Sequence, residues 1–239
     1  MNVEDALVVM GSLAEASDAV DLHKRVSVAV RKLGCEQFLI GMQIHLPAGP
    51  VLQHVDSGYS QRWQQRYFEK RYITVDPLIG YCQTNTAPVV WDQSLYKYES
   101  HELMEDSRSH GLGYGVTVPV HQSDSAKSMF SIARDQPFDD PREEALVKAT
   151  AGALANYVHV ATARLVLPEL LAQASPKLTE RELACLRLVA QGKGSGLISD
   201  RLNIAEPTVN YHLGKVMKKL GVATRVQAVA MAIQLKIIT

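Results

Sequence analysis

The residues best equipped to recognise a small molecule lie in Tyr59-x3-Trp63-x3-Tyr67-x4-Tyr72-x3-Asp76-Pro77, with Trp91 further on. Phenol and indole rings carry O–H and N–H donors on flat apolar bodies, and a carboxylate offers two acceptor oxygens. Tyr59, Trp63 and Tyr67 are spaced i, i+4, i+8, so Trp63 and Tyr67 share one face of a helix and Tyr59 lies near its entry. Two readings fit this spacing. The aromatic stripe is a core face and Asp76 is an ordinary N-cap ahead of Pro77, or the same groups line a pocket.

A second set lies near the C-terminus. At about 100° per residue, Val209, Leu213, Val216 and Leu220 gather on one side of a helix and form its core face. The opposite side carries Thr208, Tyr211, Gly214, Lys215 and Lys218, with Asn210, His212 and Lys219 on the flanks. Lysines neutralise phosphates, Asn and Thr reach base edges, and Gly admits close approach, which together suit a DNA major groove. A solvated helix face has the same composition.

The elements around that helix follow from their caps. Thr179-Glu180-Arg181-Glu182 is a capping box, and Leu183, Leu186, Val189 and Ala190 form the apolar face behind it. Gly192 ends that helix. Ser195 to Leu202 is short, with Ile198 and Leu202 facing inward. Asn203 to Glu206 turns the chain, and Pro207 opens the next helix. Thr224-Arg225-Val226-Gln227 caps the last one. Four short helices with a tight turn between the middle pair make a helix-turn-helix.

Upstream, helices are predicted over 4–14, 17–33, 61–70 (capped by Ser60), from Asp76-Pro77, over 99–110 and over 140–167, where Pro168 ends the last. Strands are predicted over 36–45, 51–56, 114–121 and 127–134. The fold class is thus an α/β sandwich, a central antiparallel sheet flanked by helices, followed by a separate all-α helix-turn-helix domain. The domain ranges are 1–170 and 177–239, with a linker over 171–176.

The 239 residues carry no net charge, but its distribution is uneven. From Lys177 onward ten Lys/Arg face four Asp/Glu, a net +6, which leaves −6 on the rest and points the tail towards a polyanion. Cys35, Cys82 and Cys185 are far apart, forming neither a disulfide framework nor a zinc motif, and fit a reducing cytoplasm. The acidic start Met-Asn-Val-Glu-Asp gives no signal-peptide pattern, and no apolar run would span a bilayer. No catalytic constellation is found. His23, His45, His54, His101, His110, His121 and His159 lack metal spacing, and no phosphate loop or nucleophile motif occurs. No metal or cofactor is expected, and a receiver domain is excluded by the lack of an acidic cluster with a phosphoacceptor Asp after an apolar strand.

A family resemblance rests on these same residues. Leu178-Thr179-x-Arg181-Glu182-x3-Leu186-x2-Val189-Ala190-x-Gly192-Lys193 resembles the opening of the LuxR-type helix-turn-helix. Ile204-x3-Thr208-Val209-Asn210-x-His212-x6-Lys219-Leu220-Gly221-Val222-x2-Arg225 resembles its continuation. Gly194-Ser195-Gly196-Leu197 departs from the family's Thr-Ser-x-Glu. Each helical Gly costs roughly 0.5–1 kcal/mol against Ala, so a weakened helix is expected there. Ala205 stands where a capping Ser is usual.

Trp63-x3-Tyr67-x8-Asp76-Pro77 with Trp91, then Gly113-Tyr114-Gly115-Val116-Thr117-Val118-Pro119 and Phe130-Ser131-Ile132-Ala133-Arg134, are similar to the signal domain of acyl-homoserine-lactone-responsive LuxR-type regulators.

The resemblance implies that Trp63 donates to a lactone carbonyl and Asp76 accepts the amide N–H. Tyr59 and Ser131 serve the acyl carbonyl, while Tyr67 and Trp91 wall the site. Leu39, Ile40, Met42 and Phe130 are expected to line the acyl tail. Lys193, Ser195, Thr208, Asn210, Tyr211, Lys215 and Lys218 are expected at DNA. The implied ligand is an N-acyl-homoserine lactone, and the function is quorum-sensing transcription regulation. The implied partners are two-fold-related half-sites of duplex DNA, a second copy of the chain and RNA polymerase. The copies would pair through 140–167 and through Val226, Val229, Ala230 and Ile233. An orphan regulator of the same architecture, which binds another molecule or none and pairs with other regulators, is the competing reading.

Overall fold

The computed structural model describes residues 3–123 and 126–238; the extreme ends of the expected domain ranges lie outside them. The chain divides into two compact units, residues 1–44 with 53–167 and residues 45–52 with 168–239. Among the described residues no helix is long and apolar enough to cross a membrane.

The first unit opens with α1 (Val3–Ala14) and α2 (Ala19–Lys32), then β1 (Gln37–Ile44) and β2 (Leu52–Ser57). Next come α3 (Gln61–Glu69), α4 (Pro77–Thr84), β3 (Val89–Val90) and α5 (His101–Ser109). β4 (Tyr114–Ser123), β5 (Ala126–Arg134) and α6 (Pro141–Ala174) complete it, the last turns of α6, residues 168–174, belonging to the second unit. The strands form one sheet in the order β2-β1-β5-β4-β3, in which β1–β5, β5–β4 and β4–β3 pair antiparallel. The sandwich is therefore as expected, with one strand more. β3 has only two residues, too short to show alternation.

Side chains alternate across this sheet and divide its two faces between two tasks. Phe38 and Ile40 of β1, Val116 and Val118 of β4, and Phe130 and Ile132 of β5 pack with Leu13, Val26, Val30, Leu154 and Val158 into the main core. The residues between them, Leu39, Gly41, Thr117, Met129 and Ser131, face the other way, and Leu39 pairs with Ser131 and Thr117 with Ser131 across the strands. That second face is covered by α3, α4 and α5.

The long helix departs from expectation. α6 continues through Pro168 to Ala174, so the stop at 167 is absent and most of the stretch read as a 171–176 linker is helical. Pro168 removes one N–H and crowds the preceding turn. The Leu- and Ala-rich sequence on both sides favours helix enough to carry it past the break.

The second unit is built from α7 (Glu180–Ala190), α8 (Ser195–Leu202), α9 (Glu206–Leu220) and α10 (Arg225–Gln234). Cys185, Leu186, Leu188, Ile198, Val209, Leu213, Val216 and Leu220 are buried among them. Full burial of each large apolar side chain contributes roughly 1.5–3 kcal/mol. The inner face of α7 is carried by Cys185, Leu186 and Leu188, whereas Ala190, expected on it, is exposed. Both capping boxes form. Asn203 takes the left-handed conformation (φ 50°, ψ 53°) at the turn between α8 and α9, which an Asn tolerates better than most residues. α8 forms despite its glycines: Gly194 is the N-cap and only Gly196 lies inside.

Candidate functional site

A cavity of about 720 Å³ lies between the second sheet face and the α3–α5 cover. Tyr59, Trp63, Tyr67, Asp76, Trp91 and Ser131, which the sequence scatters over 73 positions, all line it. The Ser60 hydroxyl caps α3 by accepting from Trp63 N (3.3 Å). Arg66 Nε donates to Asp106 Oδ2 of α5 (2.6 Å), and the Tyr72 hydroxyl donates to the same oxygen. These bonds tie α3 and the turn after it to α5, with Trp63 packed 5.9 Å from Tyr67 and 6.1 Å from Tyr72, ring centre to ring centre.

Asp76 serves both of the roles between which its sequence position leaves a choice. Its Oδ1 accepts from Leu78 N (2.9 Å) and caps α4, while its Oδ2 accepts from the Tyr67 hydroxyl (2.9 Å). Burial pushes its carboxyl above the ordinary aspartate range, against the pull of these two hydrogen bonds. Tyr59, Tyr67 and Tyr96 are all pushed up, first by burial and then by the Asp76 charge that they share. A buried carboxylate with lone pairs to spare thus sits in a mostly apolar cavity.

A second polar chain runs along the sheet. Trp91 Nε1 donates to Thr117 Oγ1 (2.7 Å), which bonds Ser131 Oγ (2.8 Å), and Ser131 also meets the Tyr59 hydroxyl. Gly115 permits this arrangement: a Cβ there would lie 2.4 Å from Ile132 O and 3.0 Å from the Trp91 ring. The Trp63 indole N–H, by contrast, has no acceptor among the described residues and borders the cavity. Thr117 and Tyr96 escape sequence reasoning. Period-2 parity from Ser131 and its strand neighbours would have found Thr117; no local signal marks Tyr96.

Parity also corrects the expected tail lining. Leu39 and Met42 border the cavity, but Ile40 and Phe130 point into the main core on the far side of the sheet. Phe130 and Ser131 are consecutive on a strand and cannot face the same way. The apolar wall comes instead from Leu39, Leu78, Ile79, Leu103 and Met129, with the exposed Val55, Phe68 and Ile73 at its rim.

In the second unit, α9 presents Tyr211, Lys215, Lys218 and Asn210 to solvent, with Thr208 half-buried beside them. Lys215 Nζ sits 5.4 Å over the Tyr211 ring. Lys193 and Ser195 are half-buried at the start of α8. Ser195 Oγ donates to Asn210 Oδ1 (2.8 Å), and Arg225 donates to both, through Nη1 to Ser195 Oγ (2.9 Å) and Nη2 to Asn210 Oδ1 (2.8 Å). Lys219 is exposed, but its Nζ donates to the buried Glu182 Oε2 (2.6 Å) and to Lys177 O (3.0 Å). Burial would raise the Glu182 carboxyl, but Lys219 and the Thr179 amide hold it below its usual value.

The comparisons with known proteins agree with this two-part geometry. Residues 18–162 match the autoinducer binding domain family, and residues 176–232 match the bacterial regulatory proteins of the luxR family. The chain is 31% identical over 216 residues to the transcriptional activator protein AnoR of Acinetobacter nosocomialis, covering 90% of this chain and 91% of that one. It is 30% identical to the HTH-type quorum-sensing regulator RhlR of Pseudomonas aeruginosa, over 87% of this chain and 86% of that one. The crystal structure of Escherichia coli SdiA superposes with a TM-score of 0.74 at 22% identity, over 99% of this chain and 98% of that one. SdiA in complex with octanoyl-rac-glycerol superposes with 0.71 at 22% identity, over 97% and 94%. The chain joins an autoinducer binding domain to a helix-turn-helix and belongs to the luxR family of bacterial regulatory proteins.

Proposed function

We propose that this regulator responds to an N-acyl-homoserine lactone held in the sheet-face cavity, and that it acts in the cytoplasm as a homodimer on two-fold-related DNA half-sites. The observation that carries the reading is the pairing of opposite hydrogen-bonding characters at one end of an apolar cavity. Asp76 offers a carboxylate, the Trp63 indole offers an N–H, and Tyr59 with Ser131 offers hydroxyls. A lactone head has a carbonyl for the indole, an amide N–H for the carboxylate and an acyl carbonyl for the hydroxyls. Each would otherwise leave a buried polar group unpaired at about 1–3 kcal/mol. The tail would run along Leu39, Leu78, Leu103 and Met129. Val226, Ala230 and Ile233 on α10, and Leu146, Tyr157 and Val160 on α6, are exposed apolar residues on the two helices proposed to pair the copies. The residues proposed at DNA are Lys193, Ser195, Thr208, Asn210, Tyr211, Lys215 and Lys218, and RNA polymerase is the proposed partner once bound there.

The test is a thermal-shift series on the purified protein against acyl-homoserine lactones of graded chain length, with octanoyl-glycerol as a second acyl ligand. At a hundredfold excess over Kd a lactone stabilises by about 2.7 kcal/mol, a rise of roughly 5–10 °C. A shift with octanoyl-glycerol and with no lactone would support the orphan reading, for which the SdiA complex is the precedent.

A further inference from the structure

Arg225 joins three helices near their N-terminal ends. It opens α10, and its guanidinium reaches Ser195 at the start of α8 and Asn210 in the second turn of α9. The bonds close a ring: Arg225 Nη1 to Ser195 Oγ, Ser195 Oγ to Asn210 Oδ1, and Arg225 Nη2 to the same Oδ1. The direction of the Asn210 amide is not free. A guanidinium only donates, so the end of the amide turned to it must be the oxygen. That oxygen already accepts two hydrogen bonds. Asn210 is exposed, and its NH2 has no acceptor among the described residues.

We propose that Arg225 is a positioning residue for base readout: with Ser195 it turns the Asn210 oxygen inward and its NH2 outward, so that α9 reads an acceptor edge, guanine or thymine, and discriminates against adenine. An unconstrained Asn pairs with adenine by accepting from N6 and donating to N7. Here the accepting half is occupied. Guanine N7 and O6, or thymine O4, take the outward donor without any need for that half, whereas adenine leaves its N6–H unmet. The inference rests on the reading of α9 as the helix that enters the major groove.

The experiment selects binding sites from a random duplex pool with the full-length protein and the variants N210A, R225A, S195A and N210A/R225A. The wild type should favour guanine or thymine over adenine at one position of each half-site, by on the order of tenfold. N210A should flatten that position. R225A should move its preference towards adenine, S195A part of the way, and R225A should change nothing there in the N210A background. S195A leaves the helix caps intact and serves as the test should R225A not fold. Unchanged preference in R225A and S195A, with N210A flattened, would overturn the positioning role while leaving α9 as the reading helix. Uniform weakening on all sequences in R225A would make Arg225 a phosphate contact and overturn it likewise. No change of preference in N210A would overturn this inference, and if a further variant, K215A, also bound DNA as tightly as the wild type, the reading of α9 would fall with it.

Discussion

The exchange Asp76→Asn separates the two tasks that one carboxylate performs. In the structure Oδ1 caps α4 through Leu78 N and Oδ2 accepts from Tyr67. An Asn keeps its carbonyl on Leu78 N, where Asn and Asp cap almost equally well. Its NH2 then meets the Tyr67 oxygen, which can accept as well as donate. The exchange also removes a charge that burial disfavours. The unliganded fold should therefore change by no more than about 1 kcal/mol, or roughly 2–4 °C. The ligand fares differently. Its amide N–H would now face an NH2, so a charge-assisted hydrogen bond becomes a donor facing a donor. A loss of roughly 1.5–3 kcal/mol follows, about a 10- to 150-fold rightward shift of the dose–response. The assay is a lactone-responsive reporter in cells, with soluble protein quantified alongside and the melting temperature of the purified variant measured without ligand. A shift below about threefold for every lactone, at unchanged protein level, would refute the assignment of the amide to Asp76 and leave it a helix cap.

Trp63→Phe keeps the aromatic packing against Tyr67 and Tyr72 but removes the unpartnered indole donor, so the same reporter should shift by roughly 2- to 13-fold for about 0.5–1.5 kcal/mol while apo solubility holds. Acidification should act with opposite signs on ligand and fold. The raised Asp76 carboxyl accepts the amide more strongly when ionised, so lactone affinity should fall as pH drops through its folded value, above the usual aspartate pKa of about 3.9. The stability that Asp76 adds in the unliganded fold is fully present below the usual value and lost as pH rises through the folded one, and both dependences should vanish in Asp76→Asn when binding and melting are followed against pH. Lys219→Ala strands the buried Glu182 carboxylate and should lower the melting transition of the second unit by about 1–2 kcal/mol, discounted for the partial exposure of Lys219. A Cβ at Gly196 would meet only Glu206 Oε2, at 4.0 Å, so Gly196→Ala should raise the same transition by roughly 0.5–1 kcal/mol in calorimetry.

Much of this protein is readable from local pattern, and the misses have local causes. The capping boxes at Thr179 and Thr224, and the alternation in β1, β4 and β5, are strong short-range signals and stand in the structure as expected. The end of α6 does not, because a single Pro is a bounded penalty that flanking helix formers overcome. Ile40 and Phe130 were legible but misplaced: parity with Ser131 assigns them to the core. Asp76 showed its cap in the sequence, whereas its contact with Tyr67 depends on α3 lying over α4 and leaves no local trace. The Arg225 ring joins residues 15 and 30 positions apart, and only the tertiary fold brings them together.

The division of the sheet has a consequence for how such a receptor changes over time. Folding depends on Phe38, Ile40, Phe130 and Ile132, and the shape of the cavity on Leu39, Gly41, Met129 and Ser131, interleaved along the same two strands. A substitution at Leu39, Gly41, Met129 or Ser131 changes the chamber from the sheet face opposite the main core. Gly41→Ala, for example, would bring its methyl within 3.1 Å of Met129 Cγ and push that side chain into the chamber, shortening the room for a tail. Signal preference can drift in single steps, each invisible to the packing that keeps the domain folded.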